Sequence, residues 1–232
     1  MKLLEGKVAI ITGASRGIGK GVAEVFAKHG ANIAFTNSSS VESALALENE
    51  LNAMGIKAKG YQSNAADFNE AQAFVDAVIE EFGTVDILIN NAGQLTGGLL
   101  EDQSLDAIYS MFQTNLVGLI HLTRGFVPLL LKRPEAMIVN NASVSGVMHL
   151  PCTTTYTAAK TGVVAFSSSL RQDFKGTNVK VLTLITPGVK TRMFDEIAPK
   201  YSAHMDVSSI KTITPEVYAK RVWNAIKRNK KV

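Results

Sequence analysis

The amino-acid sequence predicts an α/β fold in which one doubly wound parallel sheet carries helices on both faces. Short apolar runs alternate with longer amphipathic stretches along the whole chain, a pattern typical of strand–helix–strand crossovers. A glycine-rich turn follows the first apolar run. No linker, repeat or low-complexity tract interrupts the 232 residues. We therefore expect a single domain over residues 1–232.

Six short apolar runs predict the strands of this sheet, and five amphipathic stretches predict most of its helices. The strand runs lie at Val8–Ile11, Asn32–Phe35, Lys57–Tyr61, Asp86–Ile89, Met137–Val139 and Val179–Ile185. The helical stretches lie at Gly17–His29, Val41–Met54, Phe68–Phe82, Ser104–Leu131 and Thr154–Phe174. A last helix begins near Thr214, because Pro215 suits the first helical position and Glu216 the first turn.

Charge and hydropathy narrow the class of protein. The net charge of +4 comes from 24 Lys and Arg against 20 Asp and Glu, and six of the cations lie in residues 220–231. This confined basic end indicates a solvated helix end more than a nucleic-acid surface. Apolar runs fall short of the roughly 20 residues that span a bilayer. Cys152 is the one cysteine, so we expect a cytoplasmic protein with neither membrane nor nucleic acid as partner.

The turn after the first strand predicts a dinucleotide site. Thr12–Gly19 spaces its glycines as G-x-x-x-G-x-G and leads directly into a helical pattern. Such a turn lets backbone N–H groups approach a pyrophosphate at a helix N-terminus. An ordinary tight strand–helix turn is the alternative. The residues expected to hold the cofactor here are Gly13, Ser15, Arg16, Gly17, Ile18 and Gly19.

Three motifs together resemble the short-chain dehydrogenase/reductase family. They are the glycine turn, the tetrapeptide Asn90–Gly93 after the fourth strand, and Tyr156-(x)3-Lys160. The resemblance covers nearly the whole chain and implies a Rossmann-type oxidoreductase. It also implies cofactor contacts in three more segments, at Asn64 and Ala65, at Asn91, Ala92 and Gly93, and at Pro187, Gly188, Val189 and Thr191.

The end of the second strand predicts NADP(H) as the cofactor. An acidic residue here would bind a ribose 2′-hydroxyl, but between Gly19 and Val41 the only acid is Glu24, in the first helix. Asn37 and Ser38 can instead donate hydrogen bonds to a 2′-phosphate. Arg16, inside the glycine turn, can supply a cation, and in this the chain resembles many family members that prefer NADP. An ordinary exposed loop arginine is the alternative.

Tyr156 and Lys160 are the expected acid–base pair. Four residues apart in a helix, they project from one face. A tyrosine with a pKa of about 10 is a poor base at neutral pH, whereas a neighbouring lysine cation favours the phenolate. The resemblance adds Ser143, which polarises the substrate oxygen, and Asn115, which helps to hold a proton-relay water. Taken singly, the same four residues could be an exposed Tyr and Lys, a strand-end Ser and a helix-capping Asn.

The segments around this pair are expected to line a substrate pocket. Residues 187–191 resemble the family segment that closes over the carboxamide end of the cofactor. Beyond them, Arg192–Ile213 is predicted to be irregular and to act as a mobile lid, although Met193, Phe194 and Met205 could equally be core. Leu150 and Cys152 are expected to line the pocket. No zinc spacing links His29, His121, His149 and Cys152, so we expect no metal.

The substrate is predicted only by class, a ketone reduced to a secondary alcohol or the reverse. The first half resembles 3-oxoacyl-carrier-protein reductases, which act on acyl thioesters. The second half does not, because Thr153 stands where those enzymes usually have Gln. A general carbonyl or alcohol reductase and a catalytically silent nucleotide-binding scaffold remain as alternatives. The resemblance also implies a homodimer or homotetramer through the two long helices Ser104–Leu131 and Thr154–Phe174. Related proteins generally continue into a seventh parallel strand, which is expected here to be missing or truncated to a stub.

Overall fold

A parallel sheet of six strands forms the centre of the protein, which we describe from a computed structural model over residues 2–38 and 40–229. The strands are β1 Val8–Ile11, β2 Asn32–Asn37, β3 Ala58–Gln62, β4 Ile87–Asn90, β5 Ala136–Asn141 and β6 Val179–Leu184. Their order across the sheet is β3-β2-β1-β4-β5-β6, and every pairing in it is parallel. The predicted doubly wound fold is confirmed. The order reverses between β1 and β4, which places a ligand crevice at the carboxyl ends of these two strands.

Eight α-helices in the described ranges connect and flank the strands. They are α1 Gly17–Lys28, α2 Val41–Asn52, α3 Phe68–Phe82, α4 Leu105–Phe112, α5 Gly118–Leu130, α6 Thr154–Asp173, α7 Arg192–Ser202 and α8 Pro215–Asn229. The predicted helix Ser104–Leu131 is α4 and α5 joined by a π-helical turn at Gln113–Val117. The turn inserts extra backbone into the helix, a feature that often accompanies functional sites.

The sheet is covered on both faces, so its inner strands β1, β4 and β5 are buried along their whole length, whereas the edge strands β3 and β6 are partly exposed. On one face, α1, α2 and α8 pack around Phe26 and Trp223, whose rings meet edge to face with centroids 5.7 Å apart. On the other, α3 and α5 pack around Phe74 and Phe126, at 5.9 Å. Strand residues alternate between the two cores, since Ile11 belongs to the first and its neighbour Ile10 to the second.

The prediction that Arg192–Ile213 is irregular is wrong. It contains α7, a short 3-10 turn and a two-residue strand, Thr212–Ile213, that pairs with Gly188–Val189. The helix forms because the Thr191 side chain accepts a hydrogen bond from the Phe194 backbone N–H and caps its first turn. Ile197 and Tyr201, four residues apart, then bury one face of the helix. A sequence pattern interrupted by Pro199 concealed this short amphipathic helix.

Two sequence-based expectations concern the end of the chain and the membrane. The main sheet has six strands in the described ranges, and residues 230–232, where a stub of a last strand was expected, lie outside them. Within residues 2–38 and 40–229, no helix is both long and apolar enough to cross a bilayer.

Candidate active site

A cleft of about 740 Å³ opens at the carboxyl ends of the strands, beside the point where the strand order reverses. It gathers most of the residues that the sequence predicts for the site. Those on its wall are Gly13, Ser15, Arg16, Gly17, Ile18, Asn37, Ser38, Asn64, Ala65, Asn91, Ala92, Gly93, Ser143, Tyr156, Lys160, Pro187, Gly188, Val189 and Thr191. Gly19 and Asn115 do not reach the wall, and both lie directly behind it.

The glycine turn has the geometry of a phosphate cradle. Gly13 and Gly17 have φ angles of 64° and 58°, which L side chains rarely adopt. A Cβ on Gly13 would lie 2.9 Å from the Cα of Ala92, and one on Gly19 would lie 2.4 Å from the Gly13 carbonyl oxygen. The absence of a side chain at Gly19 therefore lets the start of α1 pack closely against the turn. The side chain of Arg16 does not cap α1, so the first N–H groups of the helix are free to bind an anion.

Thr12 joins this turn to the loop after β4. Its hydroxyl oxygen accepts hydrogen bonds from the backbone N–H groups of Asn91 and Ala92, both at 2.9 Å. In return, the Asn91 amide donates to the carbonyl oxygens of Thr12 and Gly13, at 3.0 and 3.1 Å. The sequence reading assigned no role to Thr12, although its position directly before the first glycine was the available signal.

Asn37, at the end of β2, is oriented differently from what the sequence predicts. It is buried, and its amide nitrogen donates to the carbonyl oxygen of Tyr61 at 3.3 Å. Its amide oxygen is buried with no hydrogen-bond partner in the described part of the chain. Asn37 thus presents an acceptor as well as a donor. Ser38 and Arg16 are exposed on the wall beside it, and Arg16 forms no ion pair with the described residues.

Tyr156, Ser143 and Lys160 meet at the inner end of the cleft. The hydroxyls of Tyr156 and Ser143 are hydrogen-bonded, which lowers the pKa of Tyr156, but burial raises it more, so the phenol is protonated at neutral pH. Lys160 is only 5% exposed, and burial lowers its pKa to about 8. Its ammonium nitrogen lies 5.8 Å from the centre of the Tyr156 ring. An exposed helical Tyr and Lys, the alternative interpretation, is therefore wrong.

Asn115 lies in the π-helical turn and fixes the loop after β4. Its amide oxygen accepts from the Gln94 backbone N–H at 2.7 Å, and its amide nitrogen donates to the Gln94 carbonyl oxygen at 2.8 Å. A Cβ on Gly93 would lie 3.2 Å from that amide oxygen and 3.7 Å from the Lys160 ammonium. Asn115 is therefore next to the site, but its main contacts are with backbone.

Asn141, at the end of β5, connects these parts and was missed by sequence reasoning. Its backbone oxygen accepts from Lys160 at 2.9 Å, and its amide nitrogen donates to the side-chain oxygen of Asn91 at 3.0 Å. Its side-chain oxygen accepts from the Thr186 hydroxyl, which lies 2.5 Å from that of Tyr218 in α8. Two consecutive asparagines at a strand end were the available signal.

The outer wall is formed by α7 and the loop before α6. Leu150 lines the cleft, as the sequence predicts, and so do Met193 and Phe194. Cys152 does not, which corrects the prediction, because its side chain is turned into a small apolar cluster with Ile197 and Tyr201. Other members of this cluster include Met205. No group of three potential metal ligands occurs among the residues that the structure describes.

Comparison with known proteins finds relatives that match most of this chain. The family model described as short chain dehydrogenase matches residues 7–202. The 3-oxoacyl-[acyl-carrier-protein] reductase FabG of Vibrio cholerae is 36% identical over 190 residues, which are 82% of this chain and 76% of that protein.

Two solved structures show the same fold. A short chain dehydrogenase from Burkholderia cenocepacia in complex with NADP has a TM-score of 0.85 at 29% identity, covering 97% of this chain and 91% of that one. A short chain dehydrogenase/reductase from Burkholderia phymatum in complex with NAD has a TM-score of 0.79 at 30% identity, covering 100% and 83%.

Proposed function

Because this chain belongs to the short chain dehydrogenase family and is an oxidoreductase, we propose that it reduces a ketone to a secondary alcohol with NADPH, or catalyses the reverse reaction. The observation that carries the proposal is the contact of the Tyr156 phenol with the Ser143 hydroxyl beside the buried Lys160. These groups share one cleft with the glycine turn. A general acid and a dinucleotide cradle in one cleft are what carbonyl reduction requires.

Each of the three side chains has a distinct task in this reaction. Ser143 donates a hydrogen bond that polarises the substrate oxygen. Tyr156 donates its hydroxyl proton to that oxygen, and burial favours the protonated phenol before the reaction. Lys160, held by the Asn141 carbonyl oxygen at 2.9 Å, stabilises the phenolate that remains. A bound NADPH supplies the two electrons and the hydrogen that the carbonyl carbon receives.

The cleft offers a binding group for each part of NADPH. The free N–H groups of the glycine turn suit the pyrophosphate, and Asn64 and Ala65 suit the adenine. Arg16 and Ser38 suit the 2′-phosphate, because one provides a cation and the other a hydroxyl donor. The segment 187–191 and the Lys160 ammonium would hold the nicotinamide and its ribose. The unpartnered amide oxygen of Asn37 is a better acceptor for a hydroxyl than for a phosphate, so the preference for NADPH rests mainly on Arg16.

A 3-oxoacyl thioester is one candidate substrate, supported by the similarity to the reductase FabG of Vibrio cholerae. Another small ketone or alcohol is the second candidate, supported by Thr153, which stands where carrier-protein reductases usually have Gln. The Thr153 hydroxyl is already bonded to the Leu150 carbonyl oxygen at 2.7 Å and to the Thr157 hydroxyl at 2.9 Å. The complete set of Ser143, Tyr156 and Lys160 disfavours a catalytically silent scaffold.

A homodimer or homotetramer in the cytoplasm is the proposed form of the enzyme, with the chain acting as one domain. The helices α4 and α5 carry large exposed apolar side chains, which supports isologous packing of two copies. The exposed residues are Leu105 and Tyr109 in α4, Val117 in the π-helical turn, Ile120 in α5 and Leu131 directly after it. The single cysteine supports a reducing compartment.

The oxidation of NADPH with a panel of ketones tests the proposed function. The panel contains acetoacetyl thioesters and simple ketones, and the reverse reaction is measured with the corresponding alcohols and NADP⁺. We expect turnover of at least one ketone and its loss in Tyr156→Phe. A protein that binds NADPH tightly yet oxidises it with no member of the panel would contradict the proposal and support a scaffold.

A further inference from the structure

Tyr201, in α7, lies on the wall of the cleft and belongs to no motif that the sequence analysis singled out. Its side chain is 6% exposed, and it packs against the loop after β4. The contact is close, because a Cβ on Gly97 would lie 2.4 Å from Cε1 of the tyrosine ring and 2.8 Å from its hydroxyl oxygen. The absence of a side chain at Gly97 therefore makes room for the Tyr201 ring.

The hydroxyl of Tyr201 is buried and has no hydrogen-bond partner within residues 2–38 and 40–229. The Tyr201 side chain belongs to an apolar cluster with Cys152 and Ile197, against which Leu95 is partly buried. Burying a hydroxyl without a partner costs free energy, so buried hydroxyls nearly always have one. Phenylalanine would fill the same space without that cost. Because Tyr201 lines the cleft, a molecule bound there can supply the missing partner.

Two features decide what that partner is. Burial, and to a smaller extent the charges of Tyr156 and Cys152, raise the pKa of Tyr201, so its hydroxyl keeps its proton and acts as a donor. Tyr201 and Tyr156 both line the cleft, so an acceptor that binds Tyr201 there can belong to a molecule that also reaches Tyr156.

We propose that the Tyr201 hydroxyl donates a hydrogen bond to a second oxygen of the substrate, and that the enzyme prefers ketones that carry such an oxygen close to the reacting carbonyl. The inference rests on the proposed function, because the reacting carbonyl is taken to bind at Tyr156 and Ser143. Leu150, Met193 and Phe194 line the same cleft and suit an apolar remainder of the substrate. Tyr201 is then a specificity-determining residue.

Two ketones of equal chain length test this inference. Ethyl acetoacetate carries ester oxygens beside its ketone, whereas methyl pentyl ketone has methylene groups in their place. For each, KM and kcat with NADPH are measured, together with the dissociation constant from the enzyme–NADP⁺ complex by calorimetry. The variants are Tyr201→Phe and, as the control, Tyr61→Phe, which removes another buried hydroxyl without a partner among the described residues but does not line the cleft.

Tyr201→Phe should raise the KM and the dissociation constant of ethyl acetoacetate by about tenfold, the usual effect of one hydrogen bond. Both constants for methyl pentyl ketone should stay within about twofold, because that ketone has no second oxygen. Tyr61→Phe should change the constants of neither ketone. Gly97→Ala, which displaces the Tyr201 ring without removing its hydroxyl, should reproduce the selective loss and guards against a folding defect in Tyr201→Phe.

An equal loss for both ketones in Tyr201→Phe would show a packing role and overturn the inference, and so would no loss for either. Failure of the proposed function gives a different result, namely that the unaltered protein turns over neither ketone. In that case the dissociation constants still decide, because the selective tenfold weakening does not depend on turnover. If the unaltered protein binds neither ketone, the inference is also overturned.

Discussion

The Lys160 ammonium donates a hydrogen bond of 2.9 Å to the backbone oxygen of Asn141, which anchors the buried cation to the end of β5. The side chain of Asn141 in turn holds Asn91, whose amide binds the carbonyl oxygens of the glycine turn. One strand end therefore positions both the acid–base pair and the expected phosphate cradle.

Replacement of Tyr156 by Phe should abolish turnover and leave NADPH binding nearly unchanged. The hydroxyl alone moves the proton, whereas the ring only packs in the cleft. Steady-state rates and a fluorescence titration with NADPH measure the two effects separately. Tyr61→Phe, at a tyrosine that does not line the cleft, serves as the control and should keep full activity. More than a few per cent of residual activity in Tyr156→Phe would mean that another group is the acid.

The burial of Lys160 should make the stability of the protein depend on pH. The pKa is about 8 in the folded protein against 10.5 ordinarily, so between these values the unfolded chain holds a proton that the folded protein has released. The free energy of unfolding should then rise with pH across this window, by up to ~3 kcal/mol. Below a pH of about 8 the cost of burying the cation is fully present.

Urea denaturation at several pH values measures this effect, with Lys160→Met as the reference that lacks the titrating group. Both proteins should carry Tyr156→Phe, so that the neighbouring phenol does not titrate in the same range. The difference in unfolding free energy between the two proteins should change between pH values of about 8 and 10.5. A difference that is constant with pH would contradict the low pKa of Lys160.

Asn141→Asp should weaken cofactor binding as well as stability. The change removes the donor to Asn91 and places a carboxylate against the side-chain oxygen of Asn91. We expect a loss of about 1–3 kcal/mol in stability and a clear increase in the dissociation constant of NADPH. Asn178→Asp is the matched control, because Asn178 donates to the carbonyl oxygens of Leu130 and Arg133. It should lose stability with unchanged NADPH affinity.

The exposed apolar face of α4 and α5 should be covered by a second copy in solution. Light scattering at micromolar concentration should give at least the mass of a dimer. Ile120→Lys should shift the protein towards monomer, because it places a charge in the proposed interface. Leu45→Lys, on exposed α2, should leave the mass unchanged. A strictly monomeric unaltered protein would contradict the proposed assembly.

The sequence predicts the sheet and most of the cleft because both depend on local patterns. Apolar runs bounded by turns indicate β1 to β6. The glycines at positions 13 and 17 indicate the turn, and both adopt a positive φ in the structure. The missed features are contacts between distant segments. Asn141 and Thr186 are 45 positions apart, and Tyr201 meets Gly97 only after α7 has packed on the loop. No local spacing encodes such contacts, and the acceptor role of Asn37 likewise depends on where Tyr61 lies.

NADPH should bind more tightly than NADH, and two substitutions test the reason. Arg16→Ala should raise the dissociation constant of NADPH by about ten- to a hundredfold, because a charge-assisted hydrogen bond to the 2′-phosphate is lost. The dissociation constant of NADH should stay nearly unchanged. Asn37→Asp should erode or reverse the preference, since a carboxylate repels the phosphate and accepts a hydrogen bond from a 2′-hydroxyl. Fluorescence titrations of both cofactors measure these effects. Because the Asn37 amide oxygen is already an acceptor without a partner, NADH should still bind measurably to the unaltered protein, and equal dissociation constants for the two cofactors would refute the role of Arg16.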